Sequence, residues 1–433
     1  MSIQSHSCGV LLLVVSLSFF SGCREASEPV VAKFEPNLVM AYRYQVDGEY
    51  SAKWTDAAIA QSDSALGDLF GTPDEPKLPA LVLGDFGDLL SLENLKKAAG
   101  PKGLYREHCA KCHGVTGDGR GELAALLNPY PRDYRLGRFK FKSTPIGAKP
   151  TREDLATLIR NGIGGTQMVA LPKLSDADVE ALVDYVIFLT IRGEVERKLL
   201  RECSELDLVA TEDADVLYDP SMKESEDEDV REYFEEQVEL LEDFVLDVVE
   251  PWSEAEGSTA EVPARDESVV PGSLIALHEI LKADADSPIK QSVARGKELF
   301  LGEKAACAKC HGKEGKGDGQ TNDYDEWTKD WTKRAGIDPE VEAEHVPFIA
   351  RGAFPVRKVS PRNFHEGVFR GGGTPEKLYQ RIALGIEGTP MPAAAVTPEQ
   401  IWDIVNYVRS LQEPKTDEPE PATSPSTGDS AGN

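Results

Sequence analysis

Cys109-Ala-Lys-Cys112-His113-Gly114 and Cys307-Ala-Lys-Cys310-His311-Gly312 are the same six residues occurring twice in a chain of 433. The residues downstream of each copy match as well. Gly117-Asp118-Gly119 pairs with Gly317-Asp318-Gly319, and Pro131-Arg132-Asp133-Tyr134 with Pro361-Arg362-Asn363-Phe364. Gly165-Thr166-Gln167-Met168 pairs with Gly388-Thr389-Pro390-Met391, and Asp184-Tyr185-Val186 with Asn406-Tyr407-Val408. The order is preserved, so one domain occurs twice.

The repeated C-x-x-C-H has a chemical reason for its spacing. Residues i, i+3 and i+4 share one face of a helix. Two thiols so placed reach the two vinyl groups of one porphyrin, and the next residue, His, binds the iron from beneath it. A structural zinc site needs two further ligands beside each motif. A thioredoxin-type dithiol needs a βαβ setting and leaves His113 and His311 unexplained. The motif therefore predicts two haem c groups, held covalently by Cys109, Cys112, Cys307 and Cys310, with His113 and His311 on the irons.

Helix signals surround both copies. Thr374-Pro375-Glu376 offers an N-cap with Pro at the first helical position. Thr397-Pro398-Glu399-Gln400 forms a capping box, with an apolar stripe of Ile401, Ile404, Val405 and Val408 after it. Ser175 caps the matching stripe of Val179, Leu182, Val183 and Val186. Little of the chain reads as strand, so the fold is predicted all-α. The expected division is a signal peptide (1–22), an N-terminal segment of unassigned role (23–91), a first domain (92–195), an acidic connector (196–288), a second domain (289–413) and a disordered tail (414–433).

Charge is unevenly spread. The formal net charge is −28, which excludes nucleic acid as a partner. Residues 202–286 hold 28 Asp or Glu against 4 Lys or Arg. Within them Val230, Tyr233, Phe234, Val238, Leu241, Phe244, Val245 and Val248 follow a helical period, predicting one amphipathic helix packed on a neighbouring domain. Residues 92–150 are the opposite, with 12 Lys or Arg against 5 acids. That excess, which includes Lys140 and Lys142, predicts a surface that steers an acidic redox partner to the first haem, or one that faces the acidic connector.

The chain opens on an uncharged stretch whose apolar run, Val10 to Phe20, is too short to span a bilayer and reads as a signal-peptide core. It ends in Phe20-Ser21-Gly22-Cys23, which resembles the lipobox of bacterial lipoproteins. The expectation is an exported protein on the periplasmic side of a bacterial membrane, lipid-anchored through Cys23. Of seven cysteines, Cys8 lies in the signal, four serve the motifs, and Cys203 is left as a buried or idle thiol.

Taken together these motifs resemble the class I c-type cytochromes, of the tandem two-domain dihaem type. The resemblance covers about half of the chain and implies two cytochrome c domains. It also implies that Met168 and Met391, on loops after the middle helices, supply the sixth iron ligands. Arg132 and Arg362 sit at equivalent points and are candidates for a haem propionate contact, with an ordinary surface or inter-helix role as the alternative. Tyr185 and Tyr407 read as core or haem-packing aromatics, and His108 as an exposed bystander. With both axial positions filled, the implied function is a carrier of single electrons between respiratory or periplasmic partners, with no substrate chemistry of its own. Alternatives are a haem subunit of a membrane respiratory complex, or a dihaem peroxidase using His278, His345 or His365 as a ligand. The second domain is also longer. His311 to Met391 spans 80 residues, against 55 from His113 to Met168. The extra stretch holds Tyr324, Trp327, Trp331 and His345 and reads as a loop over the haem edge or as a platform for a partner.

Overall fold

The computed structural model describes residues 32–210, 214–283, 286–319 and 323–414. The signal peptide, Cys8, Cys23 and the tail beyond residue 414 lie outside these. Among the described residues the regular structure is helical, and strand-like pairing is confined to the isolated bridges Gly71–Pro76 and Tyr324–Lys358. The fold is all-α, as the sequence predicts.

The N-terminal segment is part of the first core. Helices α1 (Leu38–Asp47), α2 (Ala52–Phe70) and the short α3 (Ala80–Leu83) bury Trp54, Leu66, Phe70 and Val82. The first domain continues with α4 (Leu92–Ala98), α5 (Leu104–His108), α6 (Ala110–His113), α7 (Arg152–Asn161) and α8 (Asp176–Cys203). Its frame is α4 packed on α8. Ser175 caps α8 in a reciprocal capping box with Asp178, and Val179, Leu182 and Val183 are fully buried. The apolar stripe does not end there. Ile191, Val195, Leu199 and Cys203 are buried too, so the helix runs beyond residue 195 and forms the floor on which α1 and α2 lie. Cys203 is a buried thiol whose Sγ lies 3.9 Å from Ser62 Oγ.

The acidic region folds as anticipated at its centre. Helix α9 (Glu228–Ser253) buries Phe234, Leu241, Val245 and Val248 against α8, while its carboxylates face outward. Tyr233, expected on the apolar stripe, is exposed and donates its hydroxyl to Val216 O at 3.1 Å. After α10 (Leu274–Ala283) comes the second domain: α11 (Pro288–Leu301), α12 (Ala308–His311), α13 (Glu326–Trp331), α14 (Glu342–Ile349), α15 (Pro375–Leu384) and α16 (Pro398–Ser410). Its frame is α11 crossed on α16, and the crossing is close because Gly296 leaves no room for a Cβ against Asp403 O. Thr374 and Thr397 are the N-caps expected of them.

Each frame carries a buried polar residue at the same repeat position. Asp184 accepts from Ser91 N (3.1 Å) and Asn94 Nδ2 (2.8 Å). Asn406 donates to Val269 O (2.8 Å) and Ser292 Oγ (2.9 Å).

The two domains are joined by buried polar contacts. Lys142 of the first forms an ion pair with Glu387 of the second, and their side chains are 3% and 10% exposed. The Arg381 guanidinium donates to Lys140 O (3.2 Å) and to Lys142 O. Arg197 pairs with Asp330 at 2.7 Å. Removing one partner of such a buried pair leaves an uncompensated charge, at a cost of about 3–5 kcal/mol. Lys142→Met is therefore expected to lower stability by about that amount in denaturant titration, whereas Lys96→Met, at an exposed position, leaves it unchanged.

Candidate functional site

Each C-x-x-C-H occupies a single helical turn. His113 N–H donates to Cys109 O at 2.9 Å, and His311 N–H to Cys307 O at 2.9 Å. The turn stops at Gly114 (φ 74°) and Gly312 (φ 77°), a backbone region that favours glycine. The chain then folds back under the histidine. Gly119 N–H donates to His113 O and Gly317 N–H to His311 O, both at 2.8 Å. Tyr134 N–H meets Gly117 O and Phe364 N–H meets Gly315 O, again both at 2.8 Å. These bonds correct the register of the repeat. Gly117 and Gly119 correspond to Gly315 and Gly317, not to Gly317 and Gly319. Gly315-Lys316-Gly317-Asp318-Gly319 contains two overlapping G-x-G strings, and the Asp in the second makes it look like the match.

The imidazoles are held alike. His113 Nδ1 lies 3.1 Å from Arg132 O, and His311 Nδ1 lies 3.1 Å from Arg362 O. A carbonyl only accepts, so Nδ1 carries the proton and Nε2 keeps its lone pair. Burial pushes His113 down to about 4 and lowers His311, so both rings are neutral at pH 7. Tyr134 stacks on His113 at 4.9 Å between centroids, and Phe364 on His311 at 4.4 Å. Sequence reasoning misses the role of these aromatics, although their matching positions in the repeat are a signal for it. The four motif cysteines are unpaired and half-buried. Burial raises Cys109 to about 12 and Cys307 to about 11, keeping both as thiols.

Met168 and Met391 sit on loops of the same backbone form. Ile163 N–H donates to Met168 O (2.8 Å) and Ile386 N–H to Met391 O (3.0 Å). Thr166 Oγ1 donates to Ile163 O (2.7 Å) and accepts from Met168 N (3.1 Å). Thr389 Oγ1 does the same with Ile386 O (2.7 Å) and Met391 N (3.2 Å). The first loop lacks the prolines beside Met391, yet the same threonine and backbone bonds close it.

The segments at 138–142 and 368–372 are equivalent in the repeat, and each meets the methionine loop of the other domain. Lys142 holds Glu387, and Arg370 donates to Gly165 O at 3.4 Å. Four cations, Arg132, Lys140, Arg362 and Arg370, lie in or near these segments. Lys140 is pushed down to about 8, first by burial and then by Arg132. Arg370 is lowered to about 10 by burial and by Arg362, and its Nε is buried without a hydrogen bond. Burial also lowers Arg132, with Glu326 opposing the shift.

The basic excess of residues 92–150 is accordingly not one open surface. Arg106 pairs with Asp74, Arg135 with Asp133, Arg138 with Glu326, Lys142 with Glu387 and Lys149 with Glu194. Lys97 pairs with Asp178 at 2.8 Å on the surface, while Lys96, Lys102 and Lys111 remain exposed. Among the other named residues, the Tyr185 hydroxyl donates to Pro73 O (3.1 Å) in the core, and Tyr407 packs on Phe300. His345 Nε2 lies 3.1 Å from Asp338 O and His365 Nε2 2.8 Å from Glu314 O, so both rings are engaged by carbonyls. Among the described residues no three His, Cys, Asp or Glu side chains converge to hold a metal, so neither motif gathers the ligands of a structural zinc.

Comparison with known proteins agrees with this geometry. Residues 96–186 match the family model described as cytochrome c oxidase, cbb3-type, subunit III, and residues 293–352 match the cytochrome c model. No curated protein matches the chain. A chain of the reducing HAO-like protein complex of Kuenenia stuttgartiensis is similar at 24% identity and a TM-score of 0.40, over 72% of this chain and 94% of that one. The first match takes in both His113 and Met168, and the second takes in the Cys307–His311 turn. The helical chain therefore carries two cytochrome c domains in tandem, and such domains imply c-type haem binding and haem-based electron transfer.

Proposed function

We propose that the chain is a dihaem carrier of single electrons, with one haem c in each domain. The observation that carries this reading is the matched posture of the two histidines. Each donates Nδ1–H to the carbonyl of an equivalent arginine and so presents Nε2 as a ligand. Cys109 and Cys112 hold the first group and Cys307 and Cys310 the second, with Met168 and Met391 as the opposing axial residues.

The residues fit this group. A haem c carries two carboxylates, and Arg132, Lys140, Arg362 and Arg370 are half-buried cations near the domain junction, suited to pair with such anions. Among the described residues none of the first three donates a side-chain hydrogen bond. When bound, haem supplies an iron that gains and loses one electron, and a thioether ligand favours its reduced state. The protein's part is to keep both axial positions filled and the ligands still. Tyr134 and Phe364 wall the imidazoles, and the threonine-closed loops hold the methionines.

Export and a lipid anchor at Cys23 rest on the N-terminal sequence, and cytochrome c domains are typically exported. Among the described residues no helix is long and apolar enough to cross a membrane. The exposed lysines Lys96, Lys102 and Lys111, the last inside the first haem motif, are the remaining surface for an acidic redox partner.

Produced in a host that matures c-type cytochromes, the chain is expected to carry two covalent haems by intact mass. Cys109→Ala with Cys112→Ala is expected to leave one, and retention of two in that variant refutes the assignment. Met391→Ala is expected to abolish the weak sulfur-to-iron band of the second centre, lower its potential and admit carbon monoxide. An unchanged spectrum names another ligand.

A further inference from the structure

Helix α13 belongs to the stretch that makes the second domain longer than the first, and no copy of it exists in the first. It reaches across the junction. Trp327, 9% exposed, donates its indole N–H to Pro131 O at 2.8 Å. Its ring lies over Gly119, where a methyl group would strike it. Both contacts fall on the turn that positions His113, since Arg132 O accepts from Nδ1 and Gly119 N–H donates to His113 O. The neighbouring residue Glu326 is 3% exposed and forms ion pairs with Arg138 of the first domain and Arg334. Its Cβ and Cγ pack under Gly388, at the start of the Met391 loop. Further along the same stretch Phe354 stacks on Tyr130 at 4.5 Å, and Arg357 lies over the Tyr130 ring and donates to Leu127 O at 2.8 Å. The insertion is thus anchored on the first domain at several points.

The second site has no counterpart of this brace. Pro361 O, the equivalent of Pro131 O, receives no side-chain donor among the described residues. The two sites share ligands and hydrogen bonds, but one of them has its histidine-supporting turn clamped by a residue from the other domain.

We infer that Trp327 is a positioning residue for the first haem centre, supplied in trans by the second domain, and that this clamp makes the two centres unequal. The inference rests on the proposed haem assignment. The physical route is short. The indole fixes the Pro131–Arg132 peptide units, the Arg132 carbonyl stays on Nδ1–H, and that bond raises the basicity of His113 toward iron. A more basic ligand favours the oxidised state. Releasing the clamp weakens the bond and raises the potential of the first centre.

The test uses the full chain with both haems and Trp327→Phe, which keeps a ring over Gly119 but removes the N–H. Redox titration followed by NMR reads the two centres separately through the His113 and His311 ring protons. The expected result is an upward shift of the first potential and faster solvent exchange of His113 Nδ1–H, with both His311 signals unmoved. Trp327→His, which restores a ring N–H, is expected to recover part of the shift. Unchanged His113 exchange and potential overturn the inference, as does an equal shift at both centres. Should Trp327→Phe fail to assemble the first haem, recovery by Trp327→His supports the clamp and failure to recover overturns it. Failure of the haem assignment itself is distinct, because the parent chain then lacks a haem at Cys109 and Cys112.

Discussion

A single hydrogen bond, made twice, organises this protein: imidazole Nδ1–H to the carbonyl of Arg132 in one domain and of Arg362 in the other. Its net worth is about 1 kcal/mol, so it contributes little to the stability of the fold. Its value is directional. It settles which nitrogen carries the proton, turns Nε2 toward the ligand position and sets the angle of the ring. The neighbouring features serve it. Gly114 and Gly312 let the chain reverse after the helical turn, and Gly119 and Gly317 return an N–H to the histidine carbonyl. Tyr134 and Phe364 then close the ring's flat face.

The domains meet through charge placed inside the molecule rather than on it. The outer face of α9 is covered in carboxylates, while the junction between the domains is rich in half-buried cations. Burying Lys142 against Glu387 and Arg381 against two backbone carbonyls adds little net stability over an apolar contact. It does fix how the domains sit, because a misplaced charge in such an interface is costly. The methionine loops are therefore held by the opposite domain as well as by their own. Domains joined this way hold their methionine loops in place without a rigid linker, and the outer face of α9 is left as acidic surface.

Much of this was legible in the sequence because it depends on local spacing. The C-x-x-C-H turns, the caps at Ser175, Thr374 and Thr397 and the stripes on α8 and α16 are set by residues within four positions of one another. The aromatic at Tyr134 and Phe364 was visible as a repeat position but not as a stacking partner, since contact with His113 or His311 crosses many residues. The basic excess misled for a physical reason. A count of charges carries no information on direction, and nine of those twelve side chains turn inward or find acids in distant segments. The insertion was least legible. It has no copy in the first domain, and its placement is decided by Trp327, Phe354 and Arg357 meeting a surface about two hundred residues earlier in the chain.

The central claim is that both irons have a histidine on one side and a methionine on the other. Near-infrared magnetic circular dichroism of the oxidised protein reads axial ligand pairs directly. The account predicts a single class of low-spin His/Met signal, accounting for two haems per chain. A bis-histidine or high-spin component from either centre would contradict it.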